Sequence, residues 1–154
     1  MSTIEQSMDV NVPVRTAYNQ WTQFEQFPQF MEGVERVEQL DDKNLRWVTE
    51  IAGQRREFDA TISEQTPDQR IAWHAEGETK QAGVVTFHRL AEDKTRVMLQ
   101  MEFEPTDFKE KAGDILGIVE RRIKGDLGRF KEFIESRGTE TGAWRGEVEA
   151  AAQR

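Results

Sequence analysis

Few side chains of this 154-residue chain have the type and spacing to do chemistry. Its two histidines, His74 and His88, each follow an aromatic residue where apolar and polar residues alternate, so both are predicted to face solvent. No His, Asp or Glu group has metal-ligand spacing, and neither a Ser–His–Asp arrangement nor a glycine-rich phosphate loop is present. The chain lacks cysteine, which excludes a disulfide framework and a thiol nucleophile. We therefore predict no catalytic residue, no metal and no cofactor.

One arginine stands apart, because the alternation places it on an apolar strand face. Arg56 shares its side of a strand with Phe58 and Ile62. A buried arginine is costly unless it is paired, so Arg56 is a candidate anchor for a ligand carbonyl, phenol or carboxylate. Two alternatives stay open. The Arg56 side chain could reach water from the start of the strand, and a one-residue slip or bulge in the strand would put Arg55 on the apolar face in its place. Thr49 is a weaker polar candidate.

The remaining candidate binding residues are apolar. Alternation assigns most of them to inward strand faces, and the last three lie on a stripe at helical spacing. Small-molecule pockets consist mostly of such side chains, although the same residues could equally pack into a core without a cavity. The full predicted ligand-binding set is Trp47, Thr49, Arg56, Phe58, Trp73, Phe87, Leu99, Met101, Leu116, Val119 and Ile123.

The elements that position these residues begin with a strand and two short helices. Apolar residues alternate along 4–12, which predicts a first strand. Pro13 suits the first turn of a helix over 13–24, and a shorter helical piece ends at Gly33. Short alternating runs separated by turn residues then predict an antiparallel meander of six strands. These runs are 34–40, 44–52, 55–64, 70–76, 83–90 and 95–104.

The last predicted element is a long helix with a continuous apolar stripe. Asp107 and Glu110 form a capping box at its start, and Gly138 follows its end near Arg137. Four glycines interrupt the helix beside the stripe, each costing roughly 1 kcal/mol relative to alanine. They indicate either a close approach of another backbone, ligand or subunit, or a helix that shifts to admit a ligand. These glycines are Gly113, Gly117, Gly125 and Gly128.

This order of elements predicts the α+β class. A seven-stranded antiparallel sheet needs its apolar face covered, and the long helix carries the one stripe large enough to do so. We expect the sheet to curve around this helix in a single domain over residues 1–138. Residues 139–154 are predicted to be a flexible tail, in which Trp144 could dock back onto the domain.

Several stretches of the chain resemble the polyketide cyclase/dehydrase and coenzyme Q-binding START-type family. They are YNQWTQFEQFPQFMEGVERVEQL, LRWVTEIAGQRREFDATISEQTPDQRIAW, GVVTFHRL, TRVMLQMEFEP and DLGRFKEFIESRG, and the likeness covers roughly residues 3–138. The resemblance implies a helix-grip fold with a cavity between sheet and helix. Members of this family bind lipids, quinones, sterols or polyketides, and a minority are aromatases or cyclases.

Composition excludes several other classes of function. The net charge of −8 opposes binding to nucleic acid and to anionic lipid surfaces. The opening residues show no basic and apolar regions of a signal peptide, and no stretch approaches the ~20 apolar residues of a membrane span. We therefore expect a cytoplasmic protein whose partner is an apolar small molecule, with no nucleic acid and no membrane insertion.

Three hypotheses of function follow. The first is a carrier, chaperone or sensor that binds a lipid, an isoprenoid quinone or a polyketide-like molecule in the cavity. The second is a polyketide aromatase/cyclase or dehydrase, which needs an acid or base over the substrate. Because the predicted interior offers only Arg56, Thr49 and Tyr18, and arginine stays charged, this enzyme hypothesis is the weaker one. The third is a protein-interaction role like that of ribosome-associated relatives.

Overall fold

The structure is a computed structural model. It describes residues 2–51, 53–77, 80–104 and 112–149, without the side chains of residues 51 and 112–114. Seven strands form one antiparallel sheet in the order β1-β7-β6-β5-β4-β3-β2. In chain order the elements are β1 (Ser2–Val10), α1 (Val14–Trp21), a 3₁₀ helix (Phe24–Gln29), β2 (Val34–Gln39), β3 (Asn44–Ile51), β4 (Gln54–Thr66), β5 (Arg70–Ala75), β6 (Gln81–Ala91), β7 (Lys94–Phe103) and α2 (Ala112–Arg137).

The strand register fixes which residues meet at each end of the sheet. Val10 pairs with Thr95, so the end of β1 lies beside the start of β7. Phe103 pairs with both Ser2 and Gln81, which places the starts of β1 and β6 beside the end of β7. The hairpin turns after β2, β4 and β6 therefore gather at one end of the sheet, and the cavity described below lies toward the other.

The first helix buries an aromatic cluster against the sheet. Trp21 is 1% exposed, and its ring centroid lies 5.5 Å from that of Phe27 and 5.1 Å from that of Phe130 on α2. Tyr18 packs edge-on against Phe87 of β6 at 5.4 Å. Edge-to-face pairs at this separation add to the free energy gained by burial alone. This cluster fills the half of the interior beneath α1.

The long helix covers the rest of the apolar face of the sheet. Gly138 ends α2 with a φ of 76°, a left-handed conformation that glycine adopts without steric cost. Neither α-helix of the described chain combines the length and apolar composition that a bilayer span needs. The residues that α2 buries recur at helical spacing: Ile115, Val119, Ile123, Leu127, Phe130 and Ile134. The predicted α+β helix-grip architecture is thereby confirmed.

Element boundaries differ modestly from the prediction. The first helix is shorter than 13–24, because Pro13 occupies the N-cap position and the chain turns at Thr22. The following piece is a 3₁₀ helix that ends at Gln29, before Gly33. The capping box of Asp107 and Glu110 lies outside the residues that the structure describes.

The segment 139–149 differs most from its prediction as a flexible tail, because it packs onto the domain. Arg145 donates to Asn19 at 2.6 Å and to Asp68 at 2.8 Å. Val148 is buried and forms an antiparallel bridge with Gln65 of β4. The sequence of this segment looks like a tail because it is polar, but its hydrogen bonds reach polar groups that the domain buries. Trp144 docks partly against the core.

The glycines of α2 do not mark a close backbone approach where the structure describes their surroundings. A Cβ on Gly117 would meet only the guanidinium tip of Arg121, at 3.4 Å, and one on Gly125 would meet Arg129. At Gly128 the nearest atom would be the methyl carbon of Met8, at 4.0 Å. The surroundings of Gly113 are outside the described side chains.

Candidate functional site

A cavity of about 120 Å³ separates the sheet from α2. Its sheet wall comes from β2 to β7, and its other walls come from α1, the 3₁₀ helix, the loop before β2, and α2. Gln81 and Phe103, a cross-strand pair, place it toward the end where β6 begins. The space is partly open to the outside, so a small molecule could enter it.

Aromatic side chains form a large part of the wall. Trp47 and Phe58 are a directly opposed cross-strand pair whose rings are parallel to within 3°, with centroids 6.4 Å apart. Trp21 and Phe27 close the inner end beside them, and Trp73 extends the aromatic surface onto β5. Flat ring faces on adjoining walls suit a flat, apolar guest.

Aliphatic side chains complete the wall from two directions. Leu99 and Met101 project from β7, two residues apart and therefore on one face of the strand. Val119 and Ile123 project from α2 at a spacing of four, one helical turn apart. A second space, lined by Leu45, Ile62 and shared aromatic rings, holds only about 10 Å³ and is too small for a ligand.

Among the described residues, four polar ones line the same cavity: Thr49, Gln81, Arg122 and Asp126. Arg122 is fixed by Glu32, whose carboxylate lies 3.2 Å from its Nε, and by the backbone oxygen of Glu50 at 3.1 Å. The guanidinium therefore links α2 to the loop before β2, through Glu32, and to the end of β3, through Glu50.

Asp126 is the partly buried carboxylate of the site. Its side chain is 13% exposed, and its Oδ1 accepts hydrogen bonds from the backbone N–H of Glu32 at 2.9 Å and from Arg129. Burial raises the pKa of this carboxyl, although Glu32 N–H, Arg129 and Arg122 favour the charged form and oppose the rise. An acid with a raised pKa beside an apolar cavity can both accept and return a proton more readily than a surface aspartate.

Eight of the eleven predicted ligand-binding residues line this cavity. These eight are Trp47, Thr49, Phe58, Trp73, Leu99, Met101, Val119 and Ile123. Strand alternation and helical spacing placed them on the correct faces, and the fold brings those faces together.

The other three predicted residues lie elsewhere. Phe87 is buried, but it packs against Tyr18 and Trp21 of α1 and does not line the cavity. Leu116 is 41% exposed, because it falls one position off the stripe that α2 buries. Arg56 pairs across the sheet with Thr49, is half-buried, and does not line the cavity. The two histidines are exposed, and His74 lies 2.8 Å from Glu76.

The sequence analysis missed Asp126 and Arg122. Each has a detectable signal, because Asp126 follows Ile123 by three residues and Arg122 follows Val119 by three, which puts both beside the apolar stripe.

Among the side chains that the structure describes, no group of three His, Cys, Asp or Glu could hold a metal ion.

Comparisons with solved structures give the fold independently. An aromatase/cyclase, Zhui from Streptomyces sp. R1128, matches with a TM-score of 0.76 and 18% identity, over 93% of this chain and 99% of that one. A START superfamily protein from Mycobacterium smegmatis matches with a TM-score of 0.66 and 19% identity, over 85% of this chain and 98% of that one. At these identities the likeness extends to the fold alone.

Sequence comparison identifies the family. A protein of Streptomyces lincolnensis, described as an uncharacterized 17.2 kDa protein in the melC2-rnhH intergenic region, is 63% identical over 149 residues, covering 96% of this chain and 99% of that protein. Residues 10–132 match the model of the family described as polyketide cyclase / dehydrase and lipid transport. Because that match spans most of the folded domain, the chain belongs to the polyketide cyclase/dehydrase and lipid transport family.

Proposed function

We propose that this protein binds one small hydrophobic molecule in the cavity between sheet and α2, as a carrier, chaperone or sensor. The observation that carries the proposal is an open, ring-lined space of about 120 Å³ inside an otherwise packed core. Protein interiors are close-packed, and voids larger than a water molecule are few. Family membership supports the same conclusion, because the family is described by cyclase, dehydrase and lipid-transport functions.

The size of the cavity limits what it holds. An engineered apolar cavity of about 150 Å³ binds benzene, so a space of about 120 Å³ suits roughly one ring. The rest of a larger lipid, quinone or polyketide would extend outward past Gln81 and Arg122. Burial of the ring would contribute about 25 cal/mol for each Å² of apolar surface removed from water, less the ordering cost.

Filling the cavity tests this proposal. Val119→Phe would place a ring in the space, whereas Leu116→Phe on the same helix would place one on the exposed side. Toluene binding, followed by tryptophan fluorescence, is expected to be lost in Val119→Phe and kept in Leu116→Phe. Native mass spectrometry and solvent extraction of the purified protein would then identify a natural ligand. Equal binding by both folded variants would contradict the assignment.

Asp126 favours a second candidate, a cyclase or dehydrase. Its carboxylate could take a proton from a carbon beside a substrate carbonyl, and the resulting acid could give that proton to a departing hydroxyl, which leaves as water. The raised pKa and the place of Asp126 on the cavity wall support this role. Asp126→Asn is then expected to abolish turnover of a polyketide-type substrate while the cavity still accepts toluene. Arg56→Ala is the control, because Arg56 does not line the cavity.

A further inference from the structure

We propose that the ligand carries a hydrogen-bond donor, such as a ring hydroxyl, that binds Oδ2 of Asp126, and that acceptor-only rings of the same size bind less tightly. This inference rests on the proposed function. It narrows the ligand class from any hydrophobic molecule to phenol-like and other donor-bearing rings.

The position of Asp126 supplies the first argument. The residue lies three positions after Ile123 on α2, and both line the cavity. Its side chain is 13% exposed, so water solvates the carboxylate only partly. A buried carboxylate is stabilised by hydrogen-bond donors, and each oxygen can accept more than one.

The hydrogen bonds of Asp126 supply the second argument. Within the part of the chain that the structure describes, both bonds to this carboxylate end on Oδ1, from the N–H of Glu32 and from Arg129. Arg122 directs its Nε toward Glu32 and its Nη1 toward the backbone oxygen of Glu50. Oδ2 is therefore the carboxylate oxygen left to accept a bond from a molecule in the cavity.

Arg122, a donor that would favour acceptor ligands, already directs its Nε and Nη1 to Glu32 and to the backbone oxygen of Glu50. The remaining polar groups of the cavity do not impose a preference. The Thr49 hydroxyl and the Gln81 amide can each donate or accept, so they serve either kind of ligand. The indole N–H groups of Trp21 and Trp47 are buried and have no acceptor among the described residues. Protein atoms cover both nitrogens, so a ligand oxygen would reach them only after the rings moved.

Hydrogen bonds to an ionised group are stronger than neutral ones, which makes the preference measurable. A phenolic O–H would donate to Oδ2, whereas an ether or carbonyl oxygen at that position would face a carboxylate oxygen with no proton between them. Sites built to bond a ligand O–H reject analogues that lack it. We expect a difference of at least about tenfold in affinity.

p-Cresol and anisole provide a matched pair, because they are isomers with one ring and one oxygen and only p-cresol has an O–H. Toluene serves as the apolar reference. Affinities would be measured by NMR titration of the full chain at about pH 8, well above the ordinary aspartate pKa of about 3.9. We expect p-cresol to bind at least about tenfold more tightly than anisole. In Asp126→Asn we expect that ratio to fall severalfold.

The outcomes separate this inference from the proposed function. If toluene, anisole and p-cresol all fail to bind, the binding function itself is wrong. If toluene binds and the two isomers bind equally, or if their ratio is the same in a folded Asp126→Asn variant, the donor-bearing ligand class is wrong and the cavity assignment stands.

Discussion

The indole of Trp73 lies so close to Gly83 on the neighbouring strand that no side chain fits at position 83. A Cβ there would stand 2.5 Å from Cζ2 of Trp73 and 2.8 Å from the sulfur of Met101. Trp73 and Met101 both line the cavity, and Trp73 pairs directly with Gly83 in the β5–β6 register. The glycine thus lets a large ring lie against the sheet, which keeps the space above it open.

Gly83→Ala should push Trp73 and Met101 into the cavity. Overpacking of this kind costs typically about 1–3 kcal/mol, so we expect that loss in the free energy of unfolding. We also expect about a tenfold loss of toluene affinity, since the displaced side chains occupy the ligand space. Urea unfolding and fluorescence titration measure the two effects. Unchanged affinity in a destabilised variant would show that the ring moves elsewhere.

Gly128→Ala should have the opposite effect on stability. A Cβ there would lie 4.0 Å from the nearest atom, the methyl of Met8, which is an ordinary contact. Alanine in place of glycine inside a helix gains up to about 1 kcal/mol. Thermal unfolding should therefore shift upward in this variant with ligand affinity unchanged. A downward shift would indicate that α2 must bend at this position.

Removal of the Trp47 ring should weaken ligand binding. Trp47 is 9% exposed and stacks in parallel with Phe58 at the cavity wall. Trp47→Ala is expected to lower toluene affinity at least about tenfold and to destabilise the fold by about 3–5 kcal/mol. Trp144→Ala is the matched control, because Trp144 packs against the core away from the cavity. Equal affinity losses in both variants would argue against a specific role of Trp47.

The raised pKa of Asp126 predicts a pH dependence of stability. A carboxyl whose pKa is higher in the folded than in the unfolded state costs stability as pH rises from its unfolded pKa, about 3.9, through its folded pKa. The free energy of unfolding of Asp126→Asn minus that of the parent should therefore increase over this window and then level off. Urea unfolding across the acid range measures it. A difference that falls with rising pH would show that Arg129 and Arg122 outweigh burial.

The segment 139–149 should contribute measurably to stability. Arg145 bridges Asn19 and Asp68, and its guanidinium lies 5.6 Å from the ring centroid of Tyr18. Arg145→Ala would leave the buried Asn19 of α1 and the partly buried Asp68 without this partner, at a cost of about 1–3 kcal/mol. Glu149→Ala, an exposed change in the same segment, is expected to have no effect. Equal midpoints of thermal unfolding in the two variants would indicate a detached segment.

The fold was predictable because its elements carry strong periodic patterns. Alternation locates the six meander strands to within a few residues, and the stripe from Ile115 to Ile134 locates α2. The packing of residues 139–149 was not predictable. It depends on tertiary hydrogen bonds, such as those of Arg145, which no local pattern encodes.

The sequence predicts which strand and helix faces point inward, but not which part of those faces borders the cavity. Alternation correctly places Phe87 on an inward face, but it does not show that α1 packs over this residue. Asp126 was missed because the search for lining residues followed apolar side chains, although Asp126 lies three residues after Ile123 of the stripe. Which part of an apolar face stays uncovered depends on how far each helix reaches, and that is a property of the assembled fold.

The most direct test of the account is an NMR experiment on the protein with toluene. We predict intermolecular nuclear Overhauser effects between toluene protons and the methyl groups of Val119, Ile123 and Leu99, which line the cavity from α2 and β7. Saturating toluene that produces no such effects, and leaves these methyl resonances unmoved, would contradict the claim that the space between sheet and helix accepts a ring.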